Sequence, residues 1–143
     1  MAYKTKYNPK NPSKYVGNVK NIVCRSLWER RVCKFLDTNK NITKWSSEEI
    51  HIPYFSKIDK KWHRYYPDFL IEKTSNDKKE ILLIEVKPEK QTHKPKKGNK
   101  SKKTYLNECA QYEVNQAKWK AAKSYATKRG WKFNILTEKD IFP

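Results

Sequence analysis

Acidic residues are scarce in this chain of 143 residues, in which 15 Asp and Glu stand against 33 Lys and Arg and leave a formal net charge of +18. No Asp or Glu precedes Glu29. So large an excess of one sign destabilises a compact chain by self-repulsion, and it indicates a polyanionic partner. Nucleic acid is the first candidate, because phosphate contacts require little besides positive charge.

Long apolar runs are also absent. No run approaches the roughly 20 residues of a membrane-spanning helix, and the basic residues do not follow one face of an amphipathic helix. No secretory signal opens the chain. The sequence therefore predicts an intracellular protein with no membrane partner.

Cysteine is sparse, with 3 residues at positions 24, 33 and 109. An odd count without a Cys-Xaa-Xaa-Cys pair favours reduced thiols, and two of the cysteines fall in helical patterns where a small apolar side chain fits. A zinc site that combines them with His51, His63 and His93 has no recognisable spacing. We therefore predict structural cysteines.

What the chain does contain is enough apolar surface for one folded domain. Its 5 Trp, 9 Tyr and 5 Phe supply large apolar groups, and its length suits one domain. Residues 1–25, rich in Lys and Tyr and broken by Pro9 and Pro12, predict an extended basic arm. Its tyrosines either pack on the domain or stack on bases. The domain itself is predicted to span residues 26–143.

Two short apolar runs, 64–71 and 81–88, frame the candidate site. The turn-like residues 75–79 between them predict a hairpin, and Ile81–Ile84 reads as a central strand covered on both faces. Alternation along the strand places Leu83, Glu85 and Lys87 on one face. In simple register the hairpin brings Asp68, which follows Pro67, close to Glu85.

Two adjacent carboxylates repel each other, and a shared proton or a bound cation resolves the repulsion. Hard oxygen ligands favour magnesium, which uses one or two protein carboxylates and keeps waters and phosphate oxygens in its other positions. Lys87 could then orient or deprotonate an attacking water, or offset charge on a phosphate. The alternative is an exposed Glu85–Lys87 pair on an edge strand, with Asp68 in a turn.

A helix is predicted from Ser26 to about Asn39, with Leu27, Trp28, Val32, Phe35 and Leu36 on its apolar face. Ser26 and Glu29 have capping-box spacing. Glu29 therefore either bonds backbone at the helix start or points towards Asp68 and Glu85 as a further ligand. These two interpretations stay open.

The remaining segments complete an order of helix, three strands, helix and strand. Ile42 and Trp45 predict a turn, Glu48 and Glu49 a solvated turn, and residues 49–86 a three-stranded meander. Residues 89–103 predict a lysine-rich mobile loop that binds phosphate. Thr104 opens a long helix that ends at Gly130, and 131–136 form a last strand parallel to the central one. The apolar stripe of that helix is predicted at Leu106, Ala110, Val114, Ala117, Ala121 and Tyr125.

Pro67, Asp68, Glu85, Val86 and Lys87 resemble the PD-(D/E)XK nuclease signature. With that order of elements, the fold class is α/β, an α+β mixed sheet of the restriction-endonuclease-like PD-(D/E)XK core, α-β-β-β-α-β. Further stretches are similar to the head-completion nucleases of large tailed bacteriophages and, more distantly, to the A-subunit endonuclease of Tn7-type transposons. These stretches are Met1–Tyr3, Arg25–Glu29, Trp45 with Ser47 and Glu48, Ile52–Phe55, Tyr66–Asp68, Ile84–Pro88, Asn115 with Lys118–Ala122, and Arg129–Gly130 with Phe133–Glu138.

The resemblance implies a magnesium-dependent DNA endonuclease, with Mn²⁺ as a substitute metal. By motif, Glu29, Asp68, Glu85 and Lys87 would be catalytic, and the three carboxylates would bind metal. DNA contacts are expected from Arg25, Arg64, Lys90, Lys94, Lys96, Lys97 and Lys118. No small-molecule substrate is expected.

The resemblance also implies a place in phage assembly. Such enzymes act after DNA packaging and before tail joining, with portal, neck or other head-completion proteins as partners. The location would be the bacterial host cytoplasm during assembly, with retention in the virion at the portal vertex or neck. The alternatives are a structural DNA-binding head or neck protein with a vestigial nuclease site, and a transposase-type endonuclease subunit.

Overall fold

The computed structural model describes residues 4–143. Residues 1–3, to which the resemblance extends, lie outside the described part. The strands are β1 (Thr5–Lys6), β2 (Val23–Cys24), β3 (Ile42–Ser47), β4 (Ile52–Ser56), β5 (Lys61–Tyr65), β6 (Phe69–Ser75), β7 (Lys78–Val86) and β8 (Lys132–Leu136). The helices are α1 (Leu27–Thr38), α2 (Lys102–Lys128) and α3 (Glu138–Ile141).

A mixed four-stranded sheet in the order β3-β6-β7-β8 forms the centre of the fold. Strands β6 and β7 form the predicted hairpin, and Asn76 and Asp77 make its tight turn with φ values of 51° and 63°. Both residue types tolerate this left-handed conformation better than most. β8 returns parallel to β7 after α2, as predicted. The order α1, β3, β6, β7, α2, β8 is the restriction-endonuclease-like core, and the predicted fold class is confirmed.

The predicted meander is wrong in its first strand. β4 pairs with β5 in a separate two-stranded sheet, whereas β3 is the strand that pairs with β6. The run 64–71 is split because Pro67 has no N–H to donate to a ladder, so β5 ends at Tyr65 and β6 begins at Phe69. β3 was predicted as a turn because a register shift between Ile42 and Lys44 disrupts the alternation of its side chains.

The sheet separates two apolar clusters. Leu82 and Ile84 of β7 pack with α1, α3 and the N-terminal segment, while Leu83 packs with α2 and the β4–β5 hairpin. β7 is therefore a central strand covered on both faces, as its unbroken apolar run predicts.

Residues 4–25 are part of the first cluster. Tyr7, Tyr15, Ile22 and Cys24 are buried there, and β1 pairs with β2. The two described tyrosines of this segment, at positions 7 and 15, thus pack on the domain rather than lying free to stack on bases. The domain boundary at residue 25 stays a prediction, but the described part of the segment does not extend away from the fold.

Both long helices bury faces somewhat different from those predicted. In α1 the buried residues include Val32, Cys33 and Leu36, whereas Leu27 and Phe35 are 66% and 56% exposed. α2 begins two residues before Thr104. Its most buried residues, shifted from the predicted stripe by about one position, are Asn115, Trp119, Ala122 and Ala126. Leu106 is 52% exposed, because the first turns of α2 lie beside the lysine-rich loop rather than on the sheet.

Apart from a short 3₁₀ helix at Glu89–Thr92, residues 89–101 form an irregular connection between β7 and α2. Its ends are held by ion pairs, Lys139 with Glu89 at 2.8 Å and Lys100 with Glu108 at 2.7 Å. Within residues 4–143 no helix is both long and apolar enough to cross a membrane.

Candidate active site

Asp68 and Glu85 meet where the β6–β7 hairpin ends. Phe69 pairs with Ile84, and continuing that register by one step places Asp68 opposite Glu85. The N–H of Val86 donates to Asp68 Oδ2 at 2.7 Å. Beyond the last backbone pair of β6 and β7, a hydrogen bond to the Asp68 side chain thus takes the place of a backbone hydrogen bond. It holds the carboxylate against the end of β7.

Glu85 is buried, with 6% of its surface exposed, and both of its oxygens have a partner. The Tyr65 hydroxyl donates to Oε1 at 2.6 Å, and Lys87 Nζ lies 3.3 Å from Oε2. Burial and then the neighbouring Glu85 raise the pKa of Tyr65. The phenol therefore stays protonated and acts as the donor to Glu85.

Asp68 lies in a site with too little compensating positive charge. Burial raises its pKa well above the ordinary value, and the charges of Glu85 and Glu29 raise it further. The Val86 N–H and Lys87 lower the pKa but do not outweigh these effects. The arrangement favours either a bound proton or a bound cation on this carboxylate.

Glu29 adopts the first of the two arrangements that its sequence position left open, and its role as a further ligand stays a prediction. Its N–H donates to the Ser26 hydroxyl at 3.1 Å, and its Oε1 accepts from the Arg25 N–H at 3.3 Å, so it caps the start of α1. Burial raises the pKa of Glu29, and the charges of Glu48 and Glu85 add to the effect. The charge of Glu29 in turn raises the pKa of Asp68, so the carboxylates influence one another.

Glu48 lies at the edge of the site, which the sequence did not predict. Its φ of 54° is left-handed, and its N–H donates to the Asp68 carbonyl at 3.2 Å. Its carboxylate binds Arg25 Nε at 2.9 Å. The pKa of Arg25 is raised by Glu48 and, more weakly, by Glu29 and Asp68, which places this guanidinium at the rim of the site. The sequence placed Glu48 in a solvated turn, and no spacing rule identifies it as part of the site.

Lys118 approaches the site from α2. It is half-buried, with Nζ 5.9 Å from the Tyr54 ring and 5.8 Å from the Tyr65 ring. Burial and then the charge of Lys87 lower its pKa, while Glu85 and Asp68 act in the opposite direction. Lys118 and Lys87 therefore provide two cations beside the carboxylates.

The other predicted DNA-contacting residues form no hydrogen bond or ion pair with Asp68 or Glu85 within residues 4–143. Lys90, Lys94 and Lys96 line a cleft beside α2. Lys97 is exposed and donates to the Lys100 carbonyl at 3.2 Å. Arg64 is exposed on β5 opposite Pro53. No contact of the last two residues joins them to the carboxylates.

The oxygen donors fit a magnesium ion that is only partly held by protein. Within the described chain, no group of three or more His, Cys, Asp or Glu side chains is arranged to hold a metal by itself. Magnesium needs only one or two carboxylates and keeps several waters. Asp68 Oδ1 receives no hydrogen bond from residues 4–143, whereas Oδ2 is held by Val86. One oxygen is therefore fixed and the other is free to bind a cation.

Comparison with known proteins identifies the family. The domain described as TnsA-like endonuclease N terminal matches residues 39–138. The chain belongs to the TnsA-like endonuclease family. The match includes Asp68, Glu85 and Lys87, and it begins after Glu29.

A full-length relative supports the same assignment. The chain is 44% identical over 145 residues to a protein named head completion nuclease from Enterobacteria phage T4, and the alignment covers 99% of this TnsA-like chain and 95% of that protein. No solved structure matches the chain. The predicted resemblance both to phage head-completion nucleases and to the Tn7-type endonuclease is confirmed.

Proposed function

We propose that this protein is a magnesium-dependent endonuclease that hydrolyses phosphodiester bonds in DNA. The observation that carries the proposal is the Asp68–Glu85 pair, in which burial and then the charge of Glu85 raise the pKa of Asp68, while Lys87 lies 3.3 Å from Glu85. Membership of an endonuclease family and the net charge of +18 agree with this chemistry. Mn²⁺ is expected to replace Mg²⁺.

Asp68 and Glu85 would hold the metal, with Glu29 assisting. When bound, the metal would polarise the phosphate and favour ionisation of a coordinated water. Tyr65 keeps Glu85 in place, and the Val86 N–H keeps Asp68 in place. Because these contacts exist before substrate binds, little reorganisation is needed during the reaction.

Lys87 and Lys118 supply the positive charge of the site. Lys87 would orient the attacking water by donating a hydrogen bond to it, since its Nζ already lies beside Glu85 Oε2. Lys118 and Arg25 would offset the charge that develops on the phosphate. Burial lowers the pKa of Lys118, whereas a phosphate bound beside it would raise the pKa again. Lys118 therefore holds its proton most firmly when a phosphate is bound.

We further infer that the protein acts in phage head completion. The relative in phage T4 carries that function in its name, and the alignment covers both chains almost completely. The expected step lies after DNA packaging and before tail joining, in the host cytoplasm, with portal or neck proteins as partners and retention at the portal vertex.

The nuclease proposal is tested by incubating the purified protein with linear, branched and single-stranded DNA in Mg²⁺, Mn²⁺ or EDTA. Cleavage in either metal and none in EDTA is the expected result. Tight DNA binding without cleavage of any substrate would instead support the structural head or neck protein with a vestigial site.

The assembly step is tested by complementing a phage that lacks this gene. Wild-type protein is expected to restore infectious particles, and Lys87→Ala is expected to leave filled heads without tails. Full rescue by Lys87→Ala would show that the assembly role does not need cleavage.

A further inference from the structure

A cleft of about 460 Å³ lies between the lysine-rich loop and α2. Its walls include Lys90, Lys94 and Lys96 from the loop, and Gln111, Tyr112 and Asn115 from the helix. The volume falls within the roughly 300–1,000 Å³ range of small-ligand sites. None of the roles assigned above uses the helix side of this cleft.

Asn115 gives the cleft a polar side chain that is held in place on its acceptor side. Only 3% of its surface is exposed. Gln111 Nε2 donates to its Oδ1 at 3.0 Å, whereas its Nδ2 donates to no group within residues 4–143. Because Asn115 lines the cleft, this donor is available to a bound molecule. The Asn115 amide can therefore donate to a ligand that carries a hydrogen-bond acceptor.

The charge of the cleft identifies the chemical class of that ligand. Glu108 is neutralised by Lys100 at 2.7 Å, which leaves Lys90, Lys94 and Lys96 without an acidic partner in the described structure. Tyr112 provides an aromatic face beside these cations. A nucleotide matches all three features of the cleft. Its phosphate can pair with the lysines, its base can stack on Tyr112, and the acceptor atoms of the base can bind the side-chain amides.

Both walls of the cleft carry residues that are close in sequence to the candidate active site. Lys90 follows Lys87 by three residues, and Asn115 precedes Lys118 by three residues on the same helix. Three residues of α-helix rise only about 4.5 Å. A strand whose phosphate reaches Lys87 and Lys118 can therefore place a nearby nucleotide in the cleft.

We propose that this cleft binds an unpaired nucleotide of the DNA strand next to the phosphodiester that is cleaved. The inference rests on the proposed nuclease function and names its substrate class. A base that stacks on Tyr112 and bonds to Asn115 has left the duplex stack, because a paired base exposes only its edges. The preferred substrates are strand ends and junctions with unpaired nucleotides rather than uninterrupted duplex.

Binding is tested by titrating the full chain in EDTA with dAMP, deoxyribose 5-phosphate and inorganic phosphate. The Asn115 side-chain amide resonances report occupancy of the cleft. dAMP is expected to bind at least about 5-fold more tightly than the two ligands without a base, because stacking contributes about 1–3 kcal/mol per base. Tyr112→Ala is expected to remove this difference. Equal affinities for the three ligands in the wild-type protein would overturn the proposal.

Variants keep the test independent of folding. Asn115→Asp keeps the shape of the side chain but removes the donor, and Gln111→Ala changes an exposed residue; both are expected to weaken dAMP binding about 3- to 10-fold, as for a lost hydrogen bond. Lys123→Ala, on an exposed part of α2 outside the cleft, is the control and should bind dAMP as the wild type does. If Tyr112→Ala and Gln111→Ala both bind dAMP normally, the cleft is not the site.

Cleavage rates of two duplexes distinguish failure of the nucleotide cleft from failure of the proposed nuclease function. Wild-type protein is expected to cut a duplex with an unpaired end faster than a blunt duplex, and Tyr112→Ala should lose that preference while it still cuts blunt duplex. Cleavage without such a preference refutes the nucleotide cleft alone. If no DNA is cut although dAMP binds selectively, the nuclease proposal fails and the binding site remains.

Discussion

Tyr65 is the residue of the site that sequence reasoning missed most clearly. Its hydroxyl donates to Glu85 Oε1 at 2.6 Å, although Tyr65 and Glu85 lie on strands of different sheets. Alternation along one strand predicted that Glu85 and Lys87 share a face, and hairpin register predicted Asp68 beside Glu85. A contact between two sheets follows from neither rule, because it depends on where Pro67 turns the chain.

Replacing Tyr65 by Phe tests its positioning role. Tyr65→Phe removes the donor to a buried carboxylate, and a hydrogen bond to a charged group contributes about 1.5–3 kcal/mol. We expect cleavage to slow about 10-fold or more, and the metal concentration needed for half-maximal rate to rise. Both are measured from rates across a magnesium titration.

Tyr54→Phe is the matched control. The Tyr54 ring also faces Lys118, but its hydroxyl forms no hydrogen bond in the described structure. This variant should cleave at the wild-type rate. Equal losses in both variants would show that Tyr65 acts only by packing.

At the scale of elements, Asp37 connects the N-terminal segment to α1. This buried carboxylate accepts from the Tyr7 hydroxyl at 2.8 Å, from the Lys10 N–H at 2.7 Å and from the Asn11 N–H at 2.9 Å. Burial by itself would raise the pKa of Asp37, but these hydrogen bonds outweigh it and lower the pKa. A negative charge near a helix C-terminus is otherwise unfavourable.

This arrangement predicts acid sensitivity. Because the folded-state pKa of Asp37 lies below the unfolded value of about 3.9, its stabilisation is complete above that pH and is lost as pH falls through the folded pKa. Asp37→Asn is expected to lower the free energy of unfolding at pH 7 by about 2–4 kcal/mol, and to flatten the loss of stability below pH 4. Urea unfolding across pH measures both effects.

Glu113→Gln removes the same charge from an exposed position on α2 that makes no ion pair within residues 4–143. It should leave the free energy of unfolding nearly unchanged. If Asp37→Asn behaves in the same way, the N-terminal segment is not held by this carboxylate.

Prediction of the elements from sequence succeeded where one physical signal dominated. The apolar run of β7, the Asn76–Asp77 turn and the Ser26 cap each specify a local structure. It failed at β3, where a bulge disrupts alternation, and at β4–β5, because pairing partners depend on the whole fold. The predicted stripe of α2 was shifted because Trp119, its largest buried side chain, was left out of the pattern.

At the scale of the whole molecule, the lysine-rich loop concentrates positive charge beside the candidate site. The logarithm of the DNA-binding constant falls linearly with the logarithm of the salt concentration. Changing Lys94, Lys96 and Lys97 together to Gln is expected to reduce the magnitude of this slope by about 2–3, because each lost phosphate contact contributes about 0.9. The slope is obtained from dissociation constants at several salt concentrations in EDTA.

The control changes Lys40, Lys44 and Lys78, which lie towards the opposite end of the β6–β7 hairpin from Asp68. This triple variant loses the same net charge and should change the slope much less. Equal slopes in the two triple variants would mean that the loop is only a solvated surface.

Asp68 and its neighbouring carboxylates form, in our proposal, a metal-dependent site that cuts DNA. Asp68→Asn tests it most directly, because the amide oxygen can still accept from Val86 while the charge is lost. Rates of DNA cleavage in Mg²⁺ are compared for wild type, Asp68→Asn and Asp59→Asn, a control in the exposed turn between β4 and β5, with DNA affinity measured in EDTA. We predict that Asp68→Asn lowers the cleavage rate at least about 100-fold, because several kcal/mol of transition-state stabilisation by the metal is removed. DNA affinity should be retained, and Asp59→Asn should cleave at the wild-type rate. Cleavage by Asp68→Asn at the wild-type rate would contradict the account.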